Sequence, residues 1–441
     1  MNMQDIILKK RYGKALSDED IDFFVKGVVD KSIPDYQISA LLMAIVLNGM
    51  DDREMTELTI KMAESGRQND LSYIDGIPVD KHSTGGVGDK CTPLVMPLVA
   101  TFGVSTVKLS GRGLGFTGGT VDKFESVEGF NVEVPMSEFP DLIKKCNMAI
   151  SGQTPDLAPA DKVLYALRDV TGTIDSIPLI ASSIMSKKIA GGAHGIVLDV
   201  TCGHGAFMKN LEEAVKLSEA MIRIGKLAGR EVVAVITDMN QPLGRNVGNV
   251  IEMQEVFEIL SGKHISDVEN VVCALAANMI MLAGKNEGMS IDELIDECKV
   301  RLTDGRALEK YKELILSQGG HINSNGSPIY VDYPNECMRI SASQDGYISA
   351  IKADMIGKAS VALGAGRKVK TDEIDYGAGI GFYVKAGDYV KRGDALCALY
   401  LGSKHTEDED RLFEAAEIIS DAYEYSDIKP DIAPSVIEVL K

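Results

Sequence analysis

The stretch VSTVKLSGRGLGFTGGTVDKFE, residues 104–125, holds the chain's most concentrated signal. Val104–Leu109 is a short β-type run with no polar break long enough for a loop. It opens directly into five glycines within the nine residues 111–119, flanked by Ser110 and Thr120. A strand that ends in a glycine-rich turn lets backbone N–H groups converge on one anion. Further β-type runs lie on either side of it: Ile77–Asp80, Ala149–Ser151, Gly195–Val200 and Val232–Thr237. Helix-like stretches separate several of these runs, which predicts crossover connections and a mainly parallel sheet with helices packed on it.

Upstream the texture is helical. Ser17 and Asp20 form an approximate capping box, and Ile21, Phe24, Val25 and Val28 follow at the spacing of one buried helix face. A second helix is expected after Pro34, with Ile38, Leu41, Leu42 and Ile45 inward. A third is expected from Asp51, with Met55, Leu58 and Met62 inward, stopping at Gly66. Residues 160–192 hold two helix-like segments and no strand, so they are assigned to this helical unit. Beyond Pro334, β-type runs punctuated by glycine return, and a last helix is expected over 410–420. The expected architecture is α/β: a discontinuous helical domain (1–66 and 160–192), a larger α/β domain (67–159 and 193–335), and a β-rich C-terminal domain (336–441). The hairpin-like VKAGDYVKRGDALCALY lacks the lysine triplet of a biotinyl or lipoyl carrier and is read as rigid β structure.

The chain has 441 residues and a formal net charge of −19, with 45% apolar residues. Such an acidic balance argues against grip on nucleic acid or an anionic membrane. No apolar run is long enough for a membrane span, and the N-terminus has no secretory hydrophobic stretch. Seven scattered cysteines without C-x-x-C read as reduced thiols in a cytoplasmic protein, and no zinc spacing exists.

A second glycine turn, Lys81-His-Ser83-Thr-Gly-Gly-Val-Gly88-Asp, enters a helix near Thr92. Between residues 81 and 125 the cations Lys81, Lys90, Lys108, Arg112 and Lys123 exceed the acids Asp89, Asp122 and Glu125. That window reads as a cationic spot for an anionic substrate. Neither a P-loop nor a dinucleotide fingerprint is present. Ser183 and Lys187, four apart, share a helix face and could open on one cleft.

Five ordered motifs then coincide with one family. Ser110–Glu125, Lys81–Asp89, Tyr165–Thr171, Ser176–Lys188 and Gln241-Pro-Leu-Gly-x-x-Val-Gly-Asn249 resemble those of the thymidine and pyrimidine-nucleoside phosphorylases, over nearly the whole chain. The resemblance implies a transferase (a pentosyltransferase) for nucleoside salvage. It would carry out reversible phosphorolysis of uridine, thymidine and deoxyuridine to free base and α-(deoxy)ribose 1-phosphate, with phosphate as co-substrate and no organic cofactor. It places phosphate on Lys81, Ser83, Thr92, Ser110, Gly111 and Thr120, near Lys108 and Arg112. It places the base on Arg168, Ser183 and Lys187 with His82 beside them, between apolar walls Leu114, Ile180 and Phe207. His82, Arg168 and Lys187 would act on the departing base. Lysine at Lys108, beside the sugar, is similar to members that accept both ribo- and deoxyribonucleosides.

The resemblance also implies a homodimer through the helical domain, and a potassium ion at Gly88, Leu243, Asn246 and Glu255. A threonine is common at the Lys90 position. Lys90 leaves two readings open: its ammonium replaces the ion, or it points away from an intact ion site. Phe116 for a usual histidine, and Thr201-Cys202 for a usual Lys-Thr/Val, are further departures that bear on substrate range. The competing readings are a thymidine-restricted enzyme, an anthranilate-type phosphoribosyltransferase, and a degenerate paralogue that senses nucleoside or phosphate.

Overall fold

The computed structural model describes residues 2–113, 115, 118–154, 156–369 and 371–441. Four helices open the chain: Met3–Arg11, Asp18–Val29, Asp35–Asn48 and Asp52–Glu64. Ser17/Asp20 and Asp51/Glu54 both close true capping boxes, which fix where the second and fourth helices begin. Met3–Arg11 was not expected. Only Met3, Ile6 and the stem of Lys10 are buried on it, too few to make a visible period. What holds it is tertiary: the Lys10 ammonium lies 2.7 and 2.9 Å from the two carboxylate oxygens of Glu54, both side chains buried.

Helices Pro159–Val170 and Ile177–Ala190 return to this bundle, where Ala160, Leu164 and Leu179 share a core with Phe24, Leu41 and Leu58. Ile184 and Met185 of the second helix face a different cluster, with Ile196, Leu198 and Met221 of the α/β domain. Ile177–Ala190 thus lies in the seam between the two domains.

The α/β core is built on β1 (Val79–Ser83), β2 (Thr106–Ser110), β3 (Met148–Gly152), β4 (Gly195–Cys202) and β5 (Glu231–Asp238). β1, β4 and β5 are parallel, as are β2 and β3. The sheet divides between β1 and β2, so their carboxyl ends stand side by side without a shared hydrogen-bond ladder. In open α/β sheets ligands bind at the carboxyl ends of strands, where neighbouring connections diverge. Helices Cys91–Ala100 and Ser266–Leu282 cover one face and Leu211–Leu227 the other.

The C-terminal part consists of short antiparallel strands with helices Ala353–Leu363 and Glu409–Ser420. The hairpin-like stretch 384–400 is split between two sheets, Tyr389–Val390 in one and Ala395–Leu401 in the other. Two features differ from expectation. Asn246–Gly248, from the α/β segment, pairs with Gly379–Phe382, and the final strand Val436–Leu440 leaves the C-terminal part to lie antiparallel on β5. Both pairings join residues far apart in sequence, which no local pattern encodes.

Candidate active site

Two cavities open where β1 and β2 end. The smaller, about 160 Å³, is lined by Ser83, Thr92, Ser110, Gly111 and Thr120, with Lys108, Arg112, Asp89 and Gln153. Ser83 and Ser110 are the last residues of their strands. Thr92 and Thr120 stand in the first turns of helices Cys91–Ala100 and Thr120–Glu125. Two helix N-termini and two strand-end hydroxyls therefore face one space, an arrangement suited to an oxyanion. Gly119 is required here, because a Cβ would collide with the Gly113 nitrogen and the Asp122 carboxylate.

The expectation of a local cationic excess is corrected. Each of the five cations between 81 and 125 has an acidic partner, mostly from outside that window. Lys81 lies 3.1 Å from Asp199, Lys90 2.9 Å from Glu255, and Lys123 3.4 Å from Glu252. Lys108 lies 3.5 Å from Asp80, and Arg112 pairs with Glu125. Charge counted along a segment misses carboxylates brought in by other strands. What this cavity offers an anion is mainly hydroxyls, amides and helix ends.

The resemblance gave Lys81 to phosphate. Lys81 is not in the lining but behind it, between Asp199 and Asp89 at 3.1 and 3.7 Å. The Asp89 carboxylate also accepts the Cys91 N–H at 3.0 Å, at the start of helix Cys91–Ala100.

Asp80 holds two lysines, Lys188 at 2.6 Å and Lys108 at 3.5 Å. Burial pulls Lys108 down; Asp80 pulls it back up, but Lys188 and Lys81 repel it, and it settles at about 7. Its ammonium also donates to the Lys81 carbonyl.

The second cavity, about 200 Å³, lies in the seam between the helical and α/β domains. Arg168, Ile180, Ser183, Lys187 and Tyr165 come from the helical side, and His82, Thr84 and Phe207 from the α/β side. Lys187 pairs with Asp161 at 3.0 Å, and its ammonium and the Arg168 guanidinium both approach the Tyr165 ring. Three Arg168 N–H groups are committed to the Thr173, Ile174 and Leu179 carbonyls at 3.1, 2.6 and 3.1 Å. A guanidinium has five, so two remain for a ligand.

His82 lines both cavities. Burial, followed by the positive charge of Lys188, Lys108, Lys187 and Lys81, pushes its imidazole well below the ordinary histidine range. It is neutral at pH 7, so it offers one N–H to a ligand but not the proton of an imidazolium.

Against this geometry stand the likenesses to known proteins. The "Glycosyl transferase family, a/b domain" matches residues 75–308, the "Glycosyl transferase family, helical bundle domain" 4–66, and the "Pyrimidine nucleoside phosphorylase C-terminal domain" 347–426. The pyrimidine-nucleoside phosphorylase of Bacillus subtilis (strain 168) is 47% identical over 441 residues, 100% of this chain and 99% of that protein. The chain belongs to the pyrimidine-nucleoside phosphorylase family. The Geobacillus stearothermophilus member is 48% identical over 95% of this chain and 96% of its own length. The anthranilate phosphoribosyltransferase of Thermus thermophilus shares the fold, with a TM-score of 0.56 at 18% identity, over 71% of this chain and 99% of that one.

Within this family member, Leu114 and Phe116 lie outside the described residues. Thr201, noted only as a missing cation, braces the Lys81–Asp89 glycine turn: its N–H donates to Thr84 Oγ1 at 3.0 Å and its hydroxyl to the Gly85 carbonyl at 2.5 Å. Thr84, Tyr165, Gln153 and Asp161 were given no role by sequence. Tyr165 and Asp161 were findable, since they sit one helical turn or two from Arg168 on the same helix. Arg367 of the C-terminal part was not; it reaches Asp122 at 2.9 Å and ties down the glycine loop.

Proposed function

We propose that this chain catalyses the reversible phosphorolysis of pyrimidine nucleosides, uridine, thymidine and deoxyuridine, giving free base and α-(deoxy)ribose 1-phosphate for salvage. One observation carries the reading: His82 stands at the junction of an oxyanion-shaped cavity and a cavity holding two cations and an aromatic ring. A sugar bridging the two would present C1′ between incoming phosphate and departing base.

In this reading phosphate sits among Ser83, Thr92, Ser110, Gly111 and Thr120, and attacks C1′ as the glycosidic bond lengthens. Negative charge develops on the base, and Lys187 and the two free Arg168 N–H groups stabilise it. Neutral His82 donates a hydrogen bond to the base, and Ser183 fixes the ring. Holding the two reactants across one carbon supplies the entropic part of the acceleration. The seam between domains supports closure over the sugar, which keeps water from the cationic transition state. The test is to incubate uridine with inorganic phosphate and follow free uracil. Release that needs phosphate supports the reading. Nucleoside binding without release favours the sensor, and activity only with phosphoribosyl pyrophosphate favours the transferase.

Lys108 lines the anion cavity and is placed beside the sugar, where its protonated form can meet a 2′-hydroxyl. Comparable kcat/KM for uridine and thymidine is expected near neutrality. Because Lys108 titrates at about 7, the uridine-to-thymidine ratio should fall as pH rises from 6 to 8, roughly the span of one titration. Lys108→Met should lower the ratio and flatten its pH dependence. A thymidine-restricted wild type would contradict this.

The proposal extends to a homodimer through the helical domain. Tyr36, Met43 and Leu47 recur along one side of Asp35–Asn48, and Tyr36 and Leu47 are 73% and 74% exposed. A helix side this apolar suits a second copy of the chain. Leu47→Glu is expected to shift the protein to monomer in light scattering; a wild-type monomer would reject the assignment. Six of the seven unpaired cysteines are buried, which suits a reducing cytoplasm. No helix among the described residues is long and apolar enough to cross a membrane.

A further inference from the structure

The Lys81–Asp89 glycine turn leads into Lys90, whose side chain is fully buried. Its ammonium lies 2.5 Å from the Leu243 carbonyl, 3.1 Å from the Asn246 carbonyl and 2.9 Å from Glu255 Oε2. An ammonium has three N–H donors, and here three oxygens receive them. Gly88, at φ +76°, presses on the same place, since a Cβ there would stand 2.5 Å from the Leu243 oxygen. Glu255 completes the enclosure by accepting the Arg245 and Asn246 N–H groups at 2.7 and 3.2 Å. Of the residues that the family resemblance would give to potassium, Leu243, Asn246 and Glu255 converge on Nζ, and Gly88 packs against the Leu243 carbonyl. A metal ion added among them would meet a positive charge at contact distance, so this set does not fit one.

We infer that the Lys90 ammonium is this chain's built-in monovalent cation, permanently bracing the phosphate turn from behind. It ties three segments together: the residue before helix Cys91–Ala100, the 241–246 loop, and helix Asn249–Leu260. The 241–246 loop is held by a second ammonium as well, Lys385, which donates to the Gly244 carbonyl at 2.9 Å and pairs with Asp267 at 3.1 Å. With its carbonyls fixed by side chains, the loop has no need of a dissociable ion. Lys90 is a positioning residue: two positions on, Thr92 lines the anion cavity. The inference rests on the phosphorolysis reading only for what the brace positions. Its first test uses no substrate, so either can fail alone.

The wild-type protein is exchanged into choline chloride and titrated with KCl or NaCl at constant ionic strength, following Tm and then the phosphorolysis rate. The expected result is no saturable, cation-specific rise in Tm, and rates that agree within about twofold among the three salts, since screening is equal. Lys90→Thr should lower Tm in choline chloride by roughly 5–10 °C, the scale of a broken buried pair, and potassium should restore part of the loss. A wild-type Tm that climbs saturably with potassium overturns the inference. So does a folded Lys90→Thr protein that potassium does not rescue. If Lys90→Thr yields no folded protein, the wild-type titration decides alone.

Discussion

Lys187→Gln is expected to lower kcat/KM for uridine phosphorolysis by about 10²–10³-fold, the scale of removing one charge from a developing anion. The side chain is partly exposed, at 22%, and its one acidic partner among the described residues is Asp161 at 3.0 Å. The substitution keeps the length and polarity of the side chain, so the bundle should survive. The loss should fall on kcat and kcat/KM together, because the charge it answers is present only in the transition state. A substrate whose base carries charge more easily, such as 5-fluorouridine, should lose less than uridine. Asp161→Asn should change activity far less, since it leaves the cation in place. An equal loss for both nucleosides, or a loss confined to KM, would mean that Lys187 only binds.

Asp80→Asn should have the largest effect on stability, a loss of roughly 3–5 kcal/mol, because it leaves two buried ammonium groups without their carboxylate. Lys108 and Lys188 are 7% and 3% exposed, and Asp80 lies between them. Burial raises Asp80, but the two lysines outweigh it and hold its carboxyl below the usual range. A folded-state pKa below the unfolded one means the unfolded chain binds the proton first as pH falls. The stabilisation from Asp80 is therefore complete above the unfolded value and disappears only as pH falls through the folded one. Urea midpoints of wild type and variant should differ at pH 7 and converge only below about pH 4. The variant should also weaken uridine relative to thymidine at pH 7, because Lys108 loses the one group that raises its pKa.

The parts of this molecule that sequence made legible are those encoded within one helical turn or one strand. Ser17 and Asp51 announce their helices by capping, Gly66 follows the fourth helix, and the hydroxyl and glycine residues after β1 and β2 lie where the anion cavity forms. What escaped depends on partners distant in the chain. Helix Met3–Arg11 is held by Glu54, helix Ala353–Leu363 by packing in the C-terminal part, and Val436–Leu440 by β5. The same limit governs charge. Lys81 reads as an unpaired cation in its own segment, yet Asp199 and Asp89 lie 3.1 and 3.7 Å from its ammonium. Thr84, unplaced by the sequence, joins His82 and Phe207 from the α/β side in the pocket of Arg168 and Lys187.

The account stands most directly on a single displacement at C1′ between two cavities that meet at His82, with no covalent intermediate. Phosphorus NMR of the sugar phosphate formed from a β-nucleoside reads that geometry, since attack from the face opposite the base inverts the anomeric carbon. The account predicts the α-1-phosphate as the sole sugar product. The β-anomer, or free sugar released without phosphate, would contradict it.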